Sequence, residues 1–394
     1  MEPVTFLTYL SLVLLAGIII TIISQKIKIP NVIFLIIAGI FIGNLSYQGE
    51  ALIQFPEMFL TSISIFALVL IVFDSSSRFK LREFSSLSLQ ALKLSAIFLL
   101  LNIVLLTFFT FRIFPSSSVF LALLFSTLMS GTAPDAVFEM LKKGKNRLFE
   151  LLEVEALINT PLTVLLPFIM LDFIRSVEVQ FNFSKFLEQV GPFIQQFVTG
   201  IGAGIVVGII IFRVMKKKYS ETLSPLAIIT SALLTYILAE NLGGNGVLAV
   251  TTMGLFFGNI YVTHKIQLKE VSGFLAKSLE ILVFILVGLI IKIPWNYVFI
   301  LKSVILFVIY LVIRYFAVAI SLRKLCYSPK EKLFMTFNVQ KGIAVAVVAF
   351  TLTTLNIAGI ETILHLTLLF MLYSIIISTI AVKFSHYFVK VDVK

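Results

Sequence analysis

The chain has 394 residues, of which 59% are hydrophobic and only 13% are charged, and its mean hydropathy is +1.07. No water-soluble core of this length needs so many apolar residues, so the composition excludes a soluble globular protein and indicates that lipid surrounds most of the chain. The net charge of +11 does not point to nucleic acid, because the basic residues lie in short segments between apolar runs and form no nucleic-acid motif.

Apolar runs of about 20 residues, the length at which a helix crosses a hydrocarbon layer of about 30 Å, repeat from end to end of the chain. The sequence therefore predicts an all-α polytopic membrane protein with about thirteen transmembrane helices. In chain order, the predicted spans 1 to 13 are 4–25, 30–47, 57–76, 90–112, 117–141, 148–172, 189–214, 222–240, 245–262, 273–292, 297–321, 332–355 and 361–382.

Basic residues alternate along these spans. They cluster after spans 1, 3, 5, 7, 9 and 11 and in the C-terminal tail, whereas the other connections carry few. Lysine and arginine are in excess in the cytoplasmic loops of membrane proteins. The pattern predicts an integral protein of the plasma membrane, with its N-terminus outside and its C-terminus in the cytoplasm.

Two similar segments indicate an internal repeat. Span 2 contains Gly39–Asn44 (Gly-Ile-Phe-Ile-Gly-Asn) and span 9 contains Gly254–Asn259 (Gly-Leu-Phe-Phe-Gly-Asn), with four identities in six positions. The copies are seven spans apart, and an odd offset makes them cross the membrane in opposite directions, as in many secondary transporters. Chance recurrence of small residues and phenylalanine is the alternative. The repeat predicts one transmembrane domain over 1–394, with six-helix halves at about 1–173 and 222–394 and a connecting helix at about 189–214.

Polar residues interrupt spans 5 and 12, which the repeat pairs with each other. Span 5 contains Ser130–Asp135 (Ser-Gly-Thr-Ala-Pro-Asp), in which the proline removes a backbone donor, and span 12 contains Asn338–Gly342 (Asn-Val-Gln-Lys-Gly). Interrupted helices at matching repeat positions indicate a central ion site, where freed carbonyl groups and helix ends face the ion.

Two aspartates are candidates for binding the ion. Asp135 lies about 10 Å inside the membrane, counted along a helix from Lys142. A carboxylate there can hold either a proton or a cation, which is the minimum chemistry for exchanging one against the other. Its alternative role is to cap the helix interruption. Asp74 is shallower and suits a cytoplasmic funnel for cations, or else it pairs with Arg78 at the membrane end.

Other polar residues of the spans occur at similar depth. Glu155 on span 6 and Arg314 on span 11 both lie about 12–14 Å from the cytoplasmic basic residues. Equal depth predicts a buried ion pair, and separate snorkelling to the interface is the alternative. Asn159 and Thr160, one turn deeper, can coordinate a cation or hydrogen-bond between helices. Lys341 can neutralise a carboxylate or titrate itself.

These motifs resemble the monovalent cation:proton antiporter family, in particular the sodium/proton exchangers of the NhaP type, over nearly the whole chain. The most specific likeness is Glu155–Thr160 (Glu-Ala-Leu-Ile-Asn-Thr), which is similar to the family pattern Glu-Ser-Leu-Leu-Asn-Asp. Thr132–Pro134 resembles its Thr-Asp-Pro, and Gln340–Gly342 resembles its Gly-x-Arg-Gly, with lysine for arginine. Arg314 falls where the family places the partner of the motif's glutamate.

The resemblance implies an antiporter, not an enzyme, that exchanges Na⁺ or K⁺ for H⁺ by alternating access. It also implies a homodimer in the lipid bilayer, with no cofactor and no metal beyond the transported cation. The predicted ion site comprises Asp135, Asn159, Thr160 and Thr132, with Asp74 as a further candidate, and with Glu155, Arg314 and Lys341 for structural pairing or charge compensation.

Two departures from the family pattern bear on this prediction. The aspartate that ends the family's Asn-Asp pair is Thr160 here, and the aspartate of its Thr-Asp-Pro is Ala133. Both usual carboxylates are therefore missing. The alternative prediction is a regulatory or sensory relative that does not exchange ions, or a transporter of another solute.

Overall fold

The computed structural model describes residues 2–27, 29–47, 50–79, 86–115, 117–133, 147–177, 183–217, 220, 223–260, 265–294, 296–323, 325, 327–355 and 357–389. Over these residues the chain is almost entirely helical. Its only strands there are a short antiparallel pair, β1 (Ser46–Tyr47) and β2 (Glu50–Ala51). Pro134 and Asp135 of the predicted site lie outside the described residues.

The helices follow the predicted spans closely. In chain order they are α1 (Pro3–Ile27), α2 (Asn31–Asn44), α3 (Glu57–Arg78), α4 (Ser86–Leu101), α5 (Thr107–Ile113), α6 (Val119–Leu128), α7 (Arg147–Val177), α8 (Phe183–Lys217), α9 (Leu223–Asn241), α10 (Gly246–Asn259), α11 (Lys265–Ile290), α12 (Tyr297–Ser321), α13 (Pro329–Phe337), α14 (Ile343–Thr353), α15 (Ile360–Lys383) and α16 (Ser385–Phe388). A π-helical turn, Asn102–Leu106, joins α4 to α5.

Nine helical segments of the described chain are long and apolar enough to cross a membrane, and four shorter apolar helices accompany them. The short helices are α2, α6, α10 and α14, and each lies within a predicted span. The all-α membrane fold is therefore confirmed, and the chain is an integral membrane protein. The count of thirteen spans stays a prediction.

Helices end at both predicted interruptions. In span 5, α6 ends at Leu128 and residues 131–133 are not helical. In span 12, α13 ends at Phe337 and α14 begins at Ile343. A backbone hydrogen bond joins the two interruptions: the Ala133 N–H donates to the Gln340 carbonyl oxygen at 2.9 Å.

The chain divides into two compact units. The first comprises Met1–Ser64, Ser85–Asn159 and Glu280–Lys394, and the second comprises Ile65–Phe84 and Thr160–Leu279. In the first unit, α2 packs against α11 through two glycines. A Cβ on Gly39 or Gly43 would overlap the carbonyl oxygen of Ile285 or Leu289, respectively. Small residues at this spacing let two membrane helices approach to backbone contact.

The second unit repeats this contact between α10 and α3. A Cβ on Gly254 would lie 2.9 Å from the Phe73 carbonyl oxygen, and one on Gly258 would lie 2.6 Å from that of Ser77. Gly254 and Gly258 are four residues apart on α10, and they contact Phe73 and Ser77, which are four residues apart on α3, a helix that runs in the same direction. Because the repeat pairs span 2 with span 9 and span 3 with span 10, a contact of spans 2 and 10 should recur between spans 9 and 3. The matched register supports the inverted repeat, whose boundaries stay a prediction.

Helix α8 also belongs to the second unit and packs through glycines. A Cβ on Gly204 would overlap the carbonyl oxygen of Ala249 on α10, and one on Gly200 would lie 2.8 Å from that of Asn245. Gly202, on another side of α8, has nothing within 4 Å of such a Cβ. Close backbone contact therefore fixes one face of α8 against α10.

Candidate functional site

Lys341 lies in the interruption of span 12 and is 1% exposed. Its Nζ donates hydrogen bonds to the carbonyl oxygens of Met129 at 2.7 Å and Gly131 at 2.6 Å, and to the Tyr310 hydroxyl at 2.5 Å. Met129 and Gly131 follow the last residue of α6, where a helix leaves carbonyl groups without backbone donors. The ammonium group therefore satisfies carbonyl groups that the interruption of span 5 frees.

A buried ion pair links α7 to α12. Arg314 donates from Nη1 and Nη2 to the two carboxylate oxygens of Glu155, at 2.6 and 2.7 Å, and both side chains are 0% exposed. The guanidinium carbon also lies 4.6 Å from the centre of the Phe98 ring, a distance that allows a cation–π contact. The structure thus contains the ion pair that equal depth predicts, and the two side chains do not snorkel separately to the interface.

Helix α12 connects this ion pair to Lys341. Tyr310 and Arg314 are one turn apart and so lie on the same face of α12. Phe98 packs between them in space, because its ring centre is 5.7 Å from that of Tyr310 and also faces the guanidinium group. We call Glu155, Arg314, Tyr310 and Lys341 the buried polar cluster. It holds one carboxylate and two cationic groups.

Asn159 and Thr132 are brought together as the sequence predicts. Asn159 is one turn beyond Glu155 on α7, and its Nδ2 donates to the Ser130 carbonyl oxygen and the Thr132 hydroxyl, both at 3.2 Å. Both Asn159 and Thr132 are buried. Thr160 follows Asn159 and is half-buried. Side-chain oxygens thus accompany the freed carbonyl groups, while ion binding by any of these residues stays a prediction.

Asp74 belongs to the second unit, near the end of α3, and is 7% exposed. Its Oδ2 accepts hydrogen bonds from Nη2 and Nε of Arg78 at 2.7 and 3.1 Å. The Ser272 hydroxyl on α11 lies 3.5 Å from its Oδ1. This is the Arg78 pairing that the sequence offers as one alternative, and a role of Asp74 in a cation funnel stays a prediction.

Sequence reasoning missed Tyr310 and Asn102, and it gave Gln340 no role beyond its place in the interruption of span 12. Asn102 opens the π-helical turn, is 0% exposed, and donates from Nδ2 to the Met129 carbonyl oxygen at 3.4 Å. Gln340 is 2% exposed, and neither polar atom of its side chain has a hydrogen-bond partner among the described residues. The available signal was a polar side chain within or beside an apolar run, which is costly in lipid without a partner.

Comparison with known proteins gives a family and a fold. Residues 10–385 match the family model described as "Sodium/hydrogen exchanger, transmembrane". The K⁺/H⁺ antiporter NhaP2 of Shewanella sp. (strain ANA-3) is 26% identical over 241 residues, 60% of this chain and 41% of that protein. The chain therefore spans about two-fifths of the length of such curated relatives.

Two proteins of Methanocaldococcus jannaschii match over more of their length. Its "Probable Na(+)/H(+) antiporter 2" is 26% identical over 317 residues, which are 75% of this chain and 71% of that protein. The structure of the sodium proton antiporter MjNhaP1 from the same organism, at pH 8, superposes with a TM-score of 0.77 at 17% identity. That likeness covers 96% of this chain and 100% of the other, and it shows a shared fold.

Proposed function

The chain belongs to the sodium/hydrogen exchanger family, and from this premise we propose that it is an antiporter exchanging Na⁺ or K⁺ for H⁺ by alternating access. One observation carries the proposal: the Lys341 ammonium group lies on carbonyl oxygens freed by an interrupted membrane helix. Backbone carbonyl oxygens replace the hydration shell of monovalent cations in membrane proteins. The ammonium, itself a monovalent cation, marks a position that suits Na⁺ or K⁺.

Charge balance supports a second carboxylate beside the buried polar cluster. The cluster has two cationic groups, Arg314 and Lys341, against Glu155 alone. An uncompensated charge is costly in a protein interior. Asp135, three residues beyond Thr132, is our candidate for the missing anion and for the group that carries either a proton or the cation. Asn159, Thr132 and Thr160 supply further oxygens.

Proton flux across a vesicle membrane tests this function. Protein reconstituted into vesicles that contain a pH-sensitive dye should change the internal pH when a gradient of Na⁺ or K⁺ is imposed. Li⁺, Na⁺ and K⁺ are compared side by side, with choline as the control cation. No response to any of the three ions between about pH 5 and 9 would refute exchange.

Asp135→Asn tests the carboxylate assignment. The variant should abolish ion-driven proton flux, because an asparagine neither titrates nor balances the second cationic group. Glu153→Gln is the matched control, since Glu153 is an exposed carboxylate on α7 and should exchange normally when neutralised. Full activity of Asp135→Asn would remove Asp135 from the site.

We propose that the protein lies in the plasma membrane, with its N-terminus outside and its C-terminus in the cytoplasm, on the alternation of basic residues. The inverted halves of about 1–173 and 222–394, joined by a connecting helix of about 189–214, are part of this proposal. The matched glycine contacts of α2 with α11 and of α10 with α3 support them. A homodimer is proposed from the resemblance to the family.

A relative that does not exchange ions is the second candidate. Thr160 and Ala133 favour it, because they stand where the family pattern has aspartates. Ion binding in detergent solution separates the two candidates. A site that has lost its function should bind neither Na⁺ nor K⁺, whereas an exchanger should bind at least one of them, more weakly at low pH.

A further inference from the structure

Asn102 is a buried amide in the middle of an apolar membrane segment. It is 0% exposed and lies within Leu87–Ile113, which is long and apolar enough to cross a membrane. Burying an amide without hydrogen bonds costs about 1–3 kcal/mol by mutational measures. An asparagine at this place therefore needs partners for both ends of its amide.

Only the donor end of this amide has a partner in the described part of the chain. Nδ2 donates to the Met129 carbonyl oxygen at 3.4 Å, whereas Oδ1 has no hydrogen-bond partner among the residues that the structure describes. The opposite orientation of the amide would place two acceptor oxygens in contact, so the unpaired atom is the oxygen. The distance exceeds the usual value of about 2.9–3.0 Å, so this hydrogen bond holds the side chain weakly.

The Asn102 amide lies beside one of the carbonyl groups that hold Lys341. Met129 offers its carbonyl oxygen to both Asn102 and the Lys341 ammonium group. Asn102 also opens a π-helical turn, a rare distortion that occurs frequently at functional sites. Immediately after this turn, the Thr107 hydroxyl donates to the Ser126 hydroxyl of α6 at 2.9 Å, so the distorted segment contacts the helix whose end carries Met129.

From these contacts we propose that the Asn102 amide oxygen is a ligand of the transported monovalent cation. When the cation displaces the Lys341 ammonium, the weakly held amide of Asn102 turns, and its Oδ1 then binds the cation together with the carbonyl oxygen of Met129. Amide and carbonyl oxygens are neutral, hard ligands that alkali cations accept. The proposal rests on the exchange function proposed above, and it adds a residue of span 4 to a site otherwise assigned to spans 5, 6 and 12.

Three variants test this ligand. Asn102→Leu removes the amide oxygen at nearly constant volume, and Asn102→Asp keeps an oxygen there and adds negative charge. Thr107→Val is the matched control, because it removes a buried hydroxyl and a hydrogen bond to α6 a few residues away. Each is reconstituted for the apparent KM of Na⁺- and K⁺-driven exchange, and each is heated in detergent with NaCl, KCl or choline chloride.

We expect Asn102→Leu to raise the apparent KM about tenfold or more, and to lose the rise in unfolding temperature that the favoured ion gives the wild type. Asn102→Asp should keep that ion-dependent rise and the wild-type KM or a lower one. Thr107→Val should stay within about twofold of the wild-type KM. If Asn102→Leu does not fold, Asn102→Ser takes its place with the same expected loss.

The outcomes separate this inference from the exchange function. A wild type that exchanges ions, with an unchanged KM and ion response in Asn102→Leu or Asn102→Ser, overturns the Asn102 ligand alone. Ion-dependent stabilisation that is lost in Asn102→Leu supports the ligand even where the wild type shows no exchange. A wild type that neither exchanges nor responds to Na⁺ or K⁺ overturns both proposals.

Discussion

Arg314 and Lys341, two buried cationic side chains of the first unit, have partners of different kinds. Arg314 donates hydrogen bonds to both carboxylate oxygens of Glu155. Lys341 has neutral partners, two carbonyl groups and the Tyr310 hydroxyl. An ion pair in a low dielectric is hard to separate, whereas neutral oxygen acceptors can bind another cation in place of an ammonium group. We therefore expect the first contact to maintain the structure and the second to change during transport.

Glu155→Gln should lower the free energy of unfolding by about 3–5 kcal/mol, because it leaves the Arg314 charge buried without its partner. Asp74→Asn is the control, since it also removes a carboxylate from an ion pair with arginine. The Arg78 side chain is 57% exposed, so this second loss should be about 1 kcal/mol or less. Denaturant unfolding in detergent measures both. Equal losses would contradict a structural role for the buried pair.

At the residue scale, the sequence predicted how deep a polar side chain lies in the membrane better than it predicted which way that side chain faces. Counting residues from the cytoplasmic ends was enough to pair Glu155 with Arg314. It could not show that Tyr310 contacts Lys341 or that Asn102 contacts Met129, because an apolar run gives a helix's depth but not its rotation about its axis. The partners of Lys341 were also hidden, since backbone carbonyl groups leave no side-chain motif. Asp135, outside the described residues, stays a prediction.

Among the helices, the predicted and observed bounds agree closely because the apolar thickness of a bilayer limits each run. The interruption of span 12 was predictable, because polar residues in the middle of a span favour a break that lets the backbone line a buried site. The π-helical turn Asn102–Leu106 was not, because it contains neither proline nor glycine and reads as continuous helix. Helix α8 begins before its predicted span, because charged residues end an apolar run but do not by themselves end a helix.

The glycines of α8 provide a test of close helix packing. Gly204→Ala should lower the free energy of unfolding by about 1–3 kcal/mol or more, because the new Cβ would overlap the Ala249 backbone. Gly202→Ala, two residues away, should raise it by about 0.5–1 kcal/mol, because alanine favours the helix and nothing lies within 4 Å. Unfolding in detergent compares the two. Similar effects of both variants would argue against the α8–α10 contact.

For the molecule as a whole, orientation in the membrane is the most direct prediction to test. Cys326 is the single cysteine of the chain, and it lies in a connection that the basic residues predict to be cytoplasmic. In intact cells it should resist a membrane-impermeant maleimide, and it should react in inverted membrane vesicles.

The reverse result is expected for the control variant Cys326→Ser/Lys292→Cys. Lys292 is exposed and is the last residue of span 10, at a connection predicted to face outside. Its cysteine should react in intact cells. Labelling of Cys326 from outside the cell would invert the proposed orientation of every span.

The ammonium group of Lys341 has a practical consequence for purification. A broken helix whose carbonyl groups depended on a bound ion would lose stability whenever that ion was removed. Here the chain supplies its own cation to the Met129 and Gly131 carbonyl oxygens. The protein should therefore remain folded through dialysis into choline or Tris buffers, and such a preparation provides the ion-free baseline from which titrations with Li⁺, Na⁺ and K⁺ can begin.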